Sequence, residues 1–433
     1  MEMKIAKISL LLGGMIASSI TCAEYSCQQL GLKDCPTTVD QELPNPHEML
    51  TWTQKQRVIG FRNTFRIYDG SVFHPDQKNV LALPKLKSGI TNNDIHYSVD
   101  GKNYRLNDYL KNQNVAGLII LKDGKIAYEY YAHGNDETTL WTSRSVAKSI
   151  VATLIGVAIQ QGKIKSVNDP IIQYLPDLKG TAWEKVTLKQ LMQHTSGVEW
   201  NENYKDPNSD FAKMTYCEAV KDPEACVYKN VKHLKAKYKP GTVWSYNTGG
   251  AYLVGKVLEA ATHENIAKYL ENNVWKRVGM EREGVWQSYE RNKIDMGGHG
   301  FNATLRDYAR FGQFILNEGR VSNGDKMLPE NWTAIATQWN QAKGSVTKNY
   351  PKGTYGFQWW NSQAKRGSPL TTPHADSTFW GLGIFGQMLG INPKDKIVMI
   401  QWSTWETALP SAQLDNEKSL FFNAVSKHLT EKK

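Results

Sequence analysis

Residues 141–162 read "WTSRSVAKSIVATLIGVAIQQG" and combine a helical pattern with a serine–lysine pair. Apolar residues recur at spacings of three and four up to Ile159, and Gly162 follows them, so the pattern predicts an amphipathic helix that ends at this glycine. Ser145 and Lys148 lie at its start, where positions i and i+3 share a face and the amine can approach the hydroxyl. Free amides and the positive helix end at the same point can stabilise an oxyanion. Ser145 is therefore a candidate nucleophile.

An S-x-x-K pair alone is a weak sign of catalysis, because three such pairs occur in this chain. The pairs that begin at Ser345 and Ser362 lie in polar, turn-rich stretches without a helix to hold serine and lysine in register. Only Ser145 begins a sustained helical run. The competing interpretation of that pair is a serine near a helix N-cap beside a solvated lysine.

Two later stretches favour the catalytic interpretation. In "KPGTVWSYNTGG" (239–250) a Pro-Gly turn presents Tyr246 just before a helical run, and a tyrosine so placed can relay a proton between nucleophile and leaving group. In "FWGLGIFGQMLGINP" (379–393) glycines punctuate a strand, so a substrate can approach the backbone and an amide there can complete an oxyanion hole.

The pattern along the chain predicts strands at both ends of a helical middle. "KDGK" joins two β-rich runs (115–134) into a hairpin, and strand-like runs return after residue 355. We predict an α/β (α+β) fold, in which an antiparallel sheet built from N- and C-terminal strands has flanking helices and a large, mainly α-helical lobe is inserted between those strands. The predicted units are a signal peptide (1–23), an irregular N-terminal arm (24–112), the sheet lobe (113–150 and 345–433) and the helical lobe (151–344).

The N-terminus predicts export. Lysines precede a short apolar run (8–20) and the small-residue stretch "TCAEYSC", which is typical of a signal peptide cleaved after Ala23. Lipidation of Cys22 is the less favoured alternative. We therefore expect a secreted or periplasmic protein without a transmembrane segment after signal removal. Four cysteines remain, and their short spacings favour two local disulfides among three possible pairings. These are Cys27, Cys35, Cys217 and Cys226.

Composition and residue spacing exclude several classes of binding partner. The formal net charge is +10, but the basic residues are dispersed, so nucleic acid is not expected. The cysteines lack metal-ligand spacing, and short "GGHG" and "GLG" stretches do not support a phosphate or dinucleotide site. We expect a small-molecule substrate and neither a metal nor a cofactor.

The three motifs together resemble the serine β-lactamase and penicillin-binding-protein superfamily, in particular its class C-like and esterase-like branches. The phrases "DGKIAYEYY", "SVAKS", "VTLKQLMQHTSGVEW", "PGTVWSYNTGG" and "GIFGQ" are most similar to the 6-aminohexanoate-dimer hydrolase group, over about residues 50–430. The resemblance implies that Ser145 is the nucleophile, Lys148 its base and Tyr246 the proton relay. It further implies an oxyanion hole formed by the amides of Ser145 and Ile384.

The chain also departs from the family pattern. Asn247 directly follows the tyrosine, one place earlier than in the Y-x-N of class C enzymes, and the literal Y-x-N at Tyr228 lies beside a predicted disulfide. The C-terminal strand lacks the K-T-G triad that binds the carboxylate of a β-lactam or a terminal D-alanine. β-Lactamase activity is therefore less favoured than hydrolysis of a neutral acyl bond.

Several further residues are candidates for the substrate pocket. By resemblance Tyr204 faces the substrate, and we place Asn247 and Gly383 beside it. The tryptophans near the motifs predict an apolar, aromatic-lined pocket; these are Trp244, Trp380 and Trp200. Weaker candidates are the polar residues His194, His299, His374 and Asp376.

The sequence thus predicts an exported serine hydrolase that cleaves an ester or small amide through an acyl-enzyme on Ser145. One alternative, a cell-wall D-amino-acid peptidase of the penicillin-binding type, shares this mechanism. The other is a catalytically silent binding protein built on the same fold.

Overall fold

A computed structural model describes residues 25–40, 42–218, 220–338, 343–345, 355–361 and 378–431. The strands in chain order are β1 (Gly70–Phe73), β2 (His96–Val99), β3 (Lys102–Arg105), β4 (Val115–Lys122), β5 (Lys125–Tyr131), β6 (Trp141–Thr142), β7 (Val243–Trp244), β8 (Gly284–Glu290), β9 (Ile294–Asp295), β10 (Phe301–Ala303), β11 (Lys343–Ser345), β12 (Trp360–Asn361), β13 (Phe379–Gly383), β14 (Gln387–Asn392) and β15 (Ile397–Ser403). The helices are α1 (Cys27–Leu30), α2 (Gln54–Arg62), α3 (Thr64–Ile67), α4 (Leu106–Asn112), α5 (Val146–Gln160), α6 (Leu188–Met192), α7 (Asp210–Cys217), α8 (Pro223–Lys232), α9 (Thr248–Thr262), α10 (Ile266–Leu270), α11 (Lys276–Val278), α12 (Leu305–Leu316), α13 (Trp332–Thr337) and α14 (Ala412–Glu431).

The main sheet joins strands from both ends of the chain. Its order is β12–β13–β14–β15–β4–β5, and every neighbouring pair is antiparallel. The N-terminal hairpin β4–β5 pairs with the C-terminal β15, so that Ile119 lies opposite Ile400. The predicted α/β fold with an antiparallel sheet is therefore confirmed.

Both faces of the main sheet are buried. Along β15, Val398 and Ile400 belong to the core that contains α5 and α12, whereas Ile397 and Met399 belong to a second core beneath α14. A strand covered on both faces needs apolar residues at successive positions, which explains the uninterrupted apolar run in β4.

A second antiparallel sheet has the order β1–β8–β10–β6, with β9 paired to β8. Strands β8 to β10 come from the region predicted as mainly helical, and β1 comes from the predicted N-terminal arm, with Gly70 opposite Gln287. Strand β6 is the last element before Ser145. The second sheet therefore positions the start of α5.

Helix α5 is the central helix of the molecule. The predicted element is present from Val146 to Gln160, and Gly162 follows with a left-handed φ of 70°. The helix is buried on all sides from Val146 to Ala158, so it is not the half-exposed amphipathic helix that the spacing predicts. Strand β13 crosses it closely, since a Cβ at Gly381 would lie 3.0 Å from Ser149 Oγ.

Two disulfides form between neighbours in sequence, as the spacing favours. Cys27–Cys35 closes the start of the N-terminal arm, with a Cα separation of 5.7 Å, and Cys217–Cys226 links α7 to α8 at 5.5 Å. The predicted signal peptide and Cys22 lie outside the described residues. Within the described ranges, no helix is both long and apolar enough to cross a membrane.

Candidate active site

Ser145 lies at the junction between β6 and α5. Ser143 N donates to Phe301 O at 2.8 Å, and Arg144 then turns the chain with a left-handed φ of 47°. Ser145 occupies the position before the first helical residue, and its hydroxyl makes no capping bond to the helix. Instead the hydroxyl accepts a hydrogen bond from Lys148 Nζ at 2.9 Å, so the S-x-x-K pair has the geometry expected from its spacing.

The Lys148 amine is enclosed by protein. Its side chain is 1% exposed, and Nζ also donates to Gly298 O at 2.7 Å. Burial lowers the pKa of Lys148 to about 8, although the carboxylate of Glu202 acts in the opposite direction. A substantial fraction of the amine is therefore neutral in mildly alkaline solution, which a base requires.

Tyr246 completes a group of three polar side chains. Its hydroxyl is hydrogen-bonded to Ser145 and to Tyr355, and Lys148 Nζ lies 5.2 Å from the centre of its ring. Burial and, next, the charge of Glu202 raise the pKa of Tyr246, so the phenol keeps its proton at neutral pH. The group thus holds a proton donor and a proton acceptor on the same serine.

Glu202 is a site carboxylate that the sequence did not identify. Thr248 donates to it twice, through its amide at 3.0 Å and its hydroxyl at 2.6 Å. Tyr204 donates at 2.9 Å, and Trp200 donates through its indole N–H. Tyr204 and Trp200, both predicted to face substrate, therefore bind this carboxylate. Four donors fix the charge beside the start of α9, two residues after Tyr246.

The end of β13 meets the chain just before Ser145. A Cβ at Gly383 would lie 2.5 Å from Ser143 O and 3.0 Å from Arg144 Cβ, so only glycine allows this approach. Among the described residues, neither the Ser145 amide nor the Ile384 amide has a hydrogen-bond acceptor. Two unpaired backbone donors near a nucleophile are the elements of an oxyanion hole.

Aromatic rings surround Tyr246. Trp360 stacks on it at 5.7 Å and 18°, and Tyr355 lies 4.9 Å from Trp360. The predicted pocket residue Trp244 lies 5.8 Å from Trp360 and 6.5 Å from Tyr246. Trp360 and Tyr355 escaped prediction because they follow a long polar stretch without a motif of their own.

The prediction for Trp380 is corrected by the structure. Side chains alternate between the faces of a strand, and Gly381, the next residue of β13, faces α5. Trp380 therefore faces the opposite core, where its ring lies 4.8 Å from Phe422 of α14. It lines no part of the site around Ser145.

Asn247 acts as the N-cap of α9. Its side-chain oxygen accepts from Gly250 N at 2.6 Å, and its own amide N–H donates to His194 Nδ1 at 3.4 Å. The side-chain Nδ2 is buried and has no hydrogen-bond partner in the described part of the chain. Asn247 thus orients the turn that carries Tyr246. Its side-chain NH2 group is not used by the described residues.

The two described histidine candidates differ in position. His194 is buried, with its ring 4.5 Å from Tyr246, and burial lowers its pKa well below the ordinary value, so it is neutral. His299 pairs with Glu218 at 2.8 Å and follows Gly298, the acceptor for Lys148. His194 therefore packs against Tyr246, and His299 adjoins the residue that accepts from Lys148.

Other candidates lie elsewhere. The literal Y-x-N is on α8, where Tyr228 donates to Asp177 and Asn230 donates to Cys217 Sγ at 3.3 Å. His374 and Asp376 lie outside the described residues. Within the described ranges, no group of three or more His, Cys, Asp or Glu side chains is arranged to hold a metal ion.

Comparison with known proteins yields one family and several relatives. The family described as Beta-lactamase matches residues 106–423. A "6-aminohexanoate-dimer hydrolase" from Paenarthrobacter ureafaciens is 24% identical over 297 residues, which cover 66% of this chain and 72% of that protein. A "Putative D-alanyl-D-alanine carboxypeptidase" from Salmonella agona (strain SL483) is 24% identical over 207 residues, covering 42% and 46% respectively.

Solved structures show the same fold. A "Putative 6-aminohexanoate-dimer hydrolase from Bacillus anthracis" superposes with a TM-score of 0.76 at 23% identity, covering 90% of this chain and 99% of that chain. The hydrolase EstCE1, described as having promiscuous acyltransferase activity, gives a TM-score of 0.54 at 14% identity, covering 73% and 98%. At these identities the likeness establishes the fold.

Proposed function

Because the chain belongs to the Beta-lactamase family of serine hydrolases, we propose that it is an exported enzyme that cleaves an ester or a small amide through an acyl-enzyme on Ser145. The resemblance predicted from the motifs is confirmed at the level of the family. The observation that carries the proposal is the buried Lys148 amine, which lies 2.9 Å from the Ser145 hydroxyl and is hydrogen-bonded to no acid in the described part of the chain.

In the first half-reaction, Ser145 Oγ attacks the substrate carbonyl and its proton passes to neutral Lys148. The amides of Ser145 and Ile384 bind the oxygen of the tetrahedral intermediate. Tyr246 donates its proton to the departing alcohol or amine as the C–O or C–N bond breaks, and it regains a proton from the Lys148 ammonium. The lysine is neutral again when the acyl-enzyme has formed.

In the second half-reaction, water attacks the acyl-enzyme. The same groups accept a proton from the water and return one to Ser145 Oγ as the carboxylic acid leaves. No other residue is needed for the proton transfers. The presence of all three groups favours an active enzyme over the silent binding protein. Burying a lysine amine beside a serine does not stabilise a fold that has no use for its chemistry.

The surroundings of the trio favour an uncharged acyl group. The half-buried ring of Trp360 lies beside Tyr246, and the buried rings of Trp244 and Tyr355 pack against it. Strand β13 carries the neutral sequence "FWGLG" instead of a lysine triad, so it offers no cation to a substrate carboxylate. We therefore place neutral esters and amides ahead of β-lactams.

The predicted signal peptide and two disulfides support export, because disulfides persist in oxidising compartments. Export and the carboxypeptidase relative together favour one second candidate, a cell-wall D-amino-acid peptidase that uses the same three residues. Release of D-alanine from a muropeptide would support that candidate.

A fluorophosphonate probe tests the nucleophile. We expect the probe to label the wild-type chain and Ser149→Ala, which alters a serine one turn further along α5 that donates to Gln358 O. Ser145→Ala should not be labelled. Equal labelling of Ser145→Ala would contradict the assignment, and turnover of p-nitrophenyl esters, a 6-aminohexanoate dimer, nitrocefin and D-alanyl peptides would then rank the substrate classes.

A further inference from the structure

Each of the two proposed oxyanion donors adjoins a residue with a left-handed backbone. Arg144 precedes Ser145 with a φ of 47°, and Phe385 follows Ile384 with a φ of 62°. Residues other than glycine rarely adopt this conformation, and they keep it only where the surroundings hold them. The direction of both donor amides therefore depends on what packs against these two residues.

One side chain contacts both of them. The ring of Phe61 lies 4.6 Å from the guanidinium carbon of Arg144 and 5.6 Å from the ring of Phe385. Its edge also meets Trp141 of β6 at 5.8 Å and 89°. Phe61 is fully buried. It belongs to α2 in the N-terminal arm, outside the residues 106–423 that the family match covers.

Arg144 depends on this contact. The side chain is 4% exposed, yet Nε and Nη2 have no hydrogen-bond partner among the described residues. Its burial also lowers the pKa of this guanidinium. The face of the Phe61 ring is the electron-rich surface available to it.

Helix α2 is held firmly enough to serve as a support. Trp52 packs so closely on Gly60 that a Cβ there would lie 2.1 Å from the indole. Arg62, the residue after Phe61, pairs with Asp40 at 2.6 Å and donates to His133 O at 2.8 Å. The residues before and after Phe61, Gly60 and Arg62, are therefore both held in place by tertiary contacts.

We propose that Phe61 is a positioning residue that holds the two halves of the oxyanion hole, Arg144–Ser145 and Ile384–Phe385, in their catalytic orientation. The N-terminal arm then completes the active site from outside the shared family segment. This inference rests on the proposed function, because it takes the amides of Ser145 and Ile384 as the oxyanion donors.

Phe65 provides a matched control. It lies four residues after Phe61, is equally buried, and packs in a separate cluster with Leu30, Leu32, Leu140 and Val285. Phe→Leu at either position removes the same atoms from a buried environment. Only the substitution at position 61 removes a contact with residues next to the donor amides.

The experiment compares Phe61→Leu and Phe65→Leu in the full chain, with kcat, KM, Tm and the affinity for a boronic acid that mimics the tetrahedral intermediate. For Phe61→Leu we expect kcat and boronate affinity to fall by about 10- to 100-fold with KM nearly unchanged, because donors displaced by a fraction of an ångström stabilise the transition state poorly. Phe65→Leu should lower Tm and leave kcat within about twofold.

Equal kcat values in the two variants would overturn the proposal. Phe61→Met removes the aromatic face, and the unbranched methionine side chain adapts to an irregular space, so this variant should fold even if the leucine variant does not. It should show the same selective loss of kcat, and an unchanged kcat would again overturn the proposal. Failure of the proposed function is distinguishable, since Ser145→Ala would then keep its activity whatever the residue at position 61.

Discussion

The Lys148 amine and the Ser145 hydroxyl lie 2.9 Å apart at the buried start of α5, and the lysine has no carboxylate within ion-pairing distance among the described residues. Burial lowers the pKa of this lysine to about 8. The neutral amine needed to deprotonate serine therefore predominates only above that pH.

We predict that kcat/KM rises with pH through a midpoint near 8, because this parameter reports groups of the free enzyme. Lys148→Met should reduce kcat/KM by about 10²- to 10⁴-fold and abolish the rise. The measurement is a pH profile with a neutral p-nitrophenyl ester, corrected for spontaneous hydrolysis. A rise centred below pH 6 would assign the base to another group.

The same lysine should limit stability. Its pKa in the folded chain, about 8, lies below the ordinary value of 10.5, so the unfolded chain binds the proton more tightly. The cost to the folded state is complete below pH 8 and disappears as the pH rises to 10.5. A shift of this size corresponds to about 3 kcal/mol, from which the two hydrogen bonds of the amine subtract about 1 kcal/mol each.

We therefore expect Lys148→Met to raise the free energy of unfolding by about 1 kcal/mol at pH 7, as measured by urea denaturation, and to lose this advantage near pH 10.5. Lys418→Met is the contrasting variant. Burial lowers the pKa of Lys418 to about 8 as well, but this lysine pairs with the buried Asp415 at 2.8 Å. Its removal takes the cation away from a buried carboxylate, so Lys418→Met should destabilise the chain. A loss of stability in Lys148→Met at pH 7 would contradict the prediction.

A third prediction concerns Glu202. Its negative charge favours the protonated form of Lys148, so Glu202→Gln should move the midpoint of the pH profile below that of the wild type. The new amide group also faces donors from Thr248 and Trp200, and we expect a stability loss of about 1 to 3 kcal/mol.

Glu199→Gln is the matched control for this charge. Glu199 forms an exposed pair with Lys237, so its neutralisation should leave both the pH midpoint and stability nearly unchanged. An identical midpoint in Glu202→Gln and the wild type would show that this carboxylate does not act on Lys148.

The sequence predicted those parts of the molecule that depend on local spacing. The contact between Ser145 and Lys148 follows from three positions on one helix, and Cys217–Cys226 follows from a short separation. Glu202 could not be found in this way, because its partner Thr248 is 46 residues distant and the carboxylate lies in a polar loop. Short strands such as β10, with three residues, have no recognisable period within a helical region.

Side-chain direction was the other limit. Trp380 and Gly383 lie on one strand, but position in the sequence does not tell which face of that strand meets α5. The register of β13 against β14 determines which side chains face α5, because a shift of one residue exchanges the two faces. The motif in β13 does not specify that register. Phe61 was missed because its partners Arg144 and Phe385 are both distant from it in sequence.

The last prediction uses two tryptophans that pair in register between β12 and β13 but contact different aromatic rings. Trp360 stacks on Tyr246, whereas Trp380 packs against Phe422 beneath α14. Trp360→Leu should lower kcat/KM for aromatic esters by about 3- to 10-fold, because one stacked aromatic contact is worth about 0.5 to 1.5 kcal/mol. Trp380→Leu should instead lower the free energy of unfolding by about 2 to 4 kcal/mol and leave kcat/KM within about twofold. Steady-state kinetics and urea denaturation of both variants provide the check. If Trp380→Leu impaired kcat/KM as strongly as Trp360→Leu, the aromatic wall around Tyr246 would not be the surface that selects the substrate.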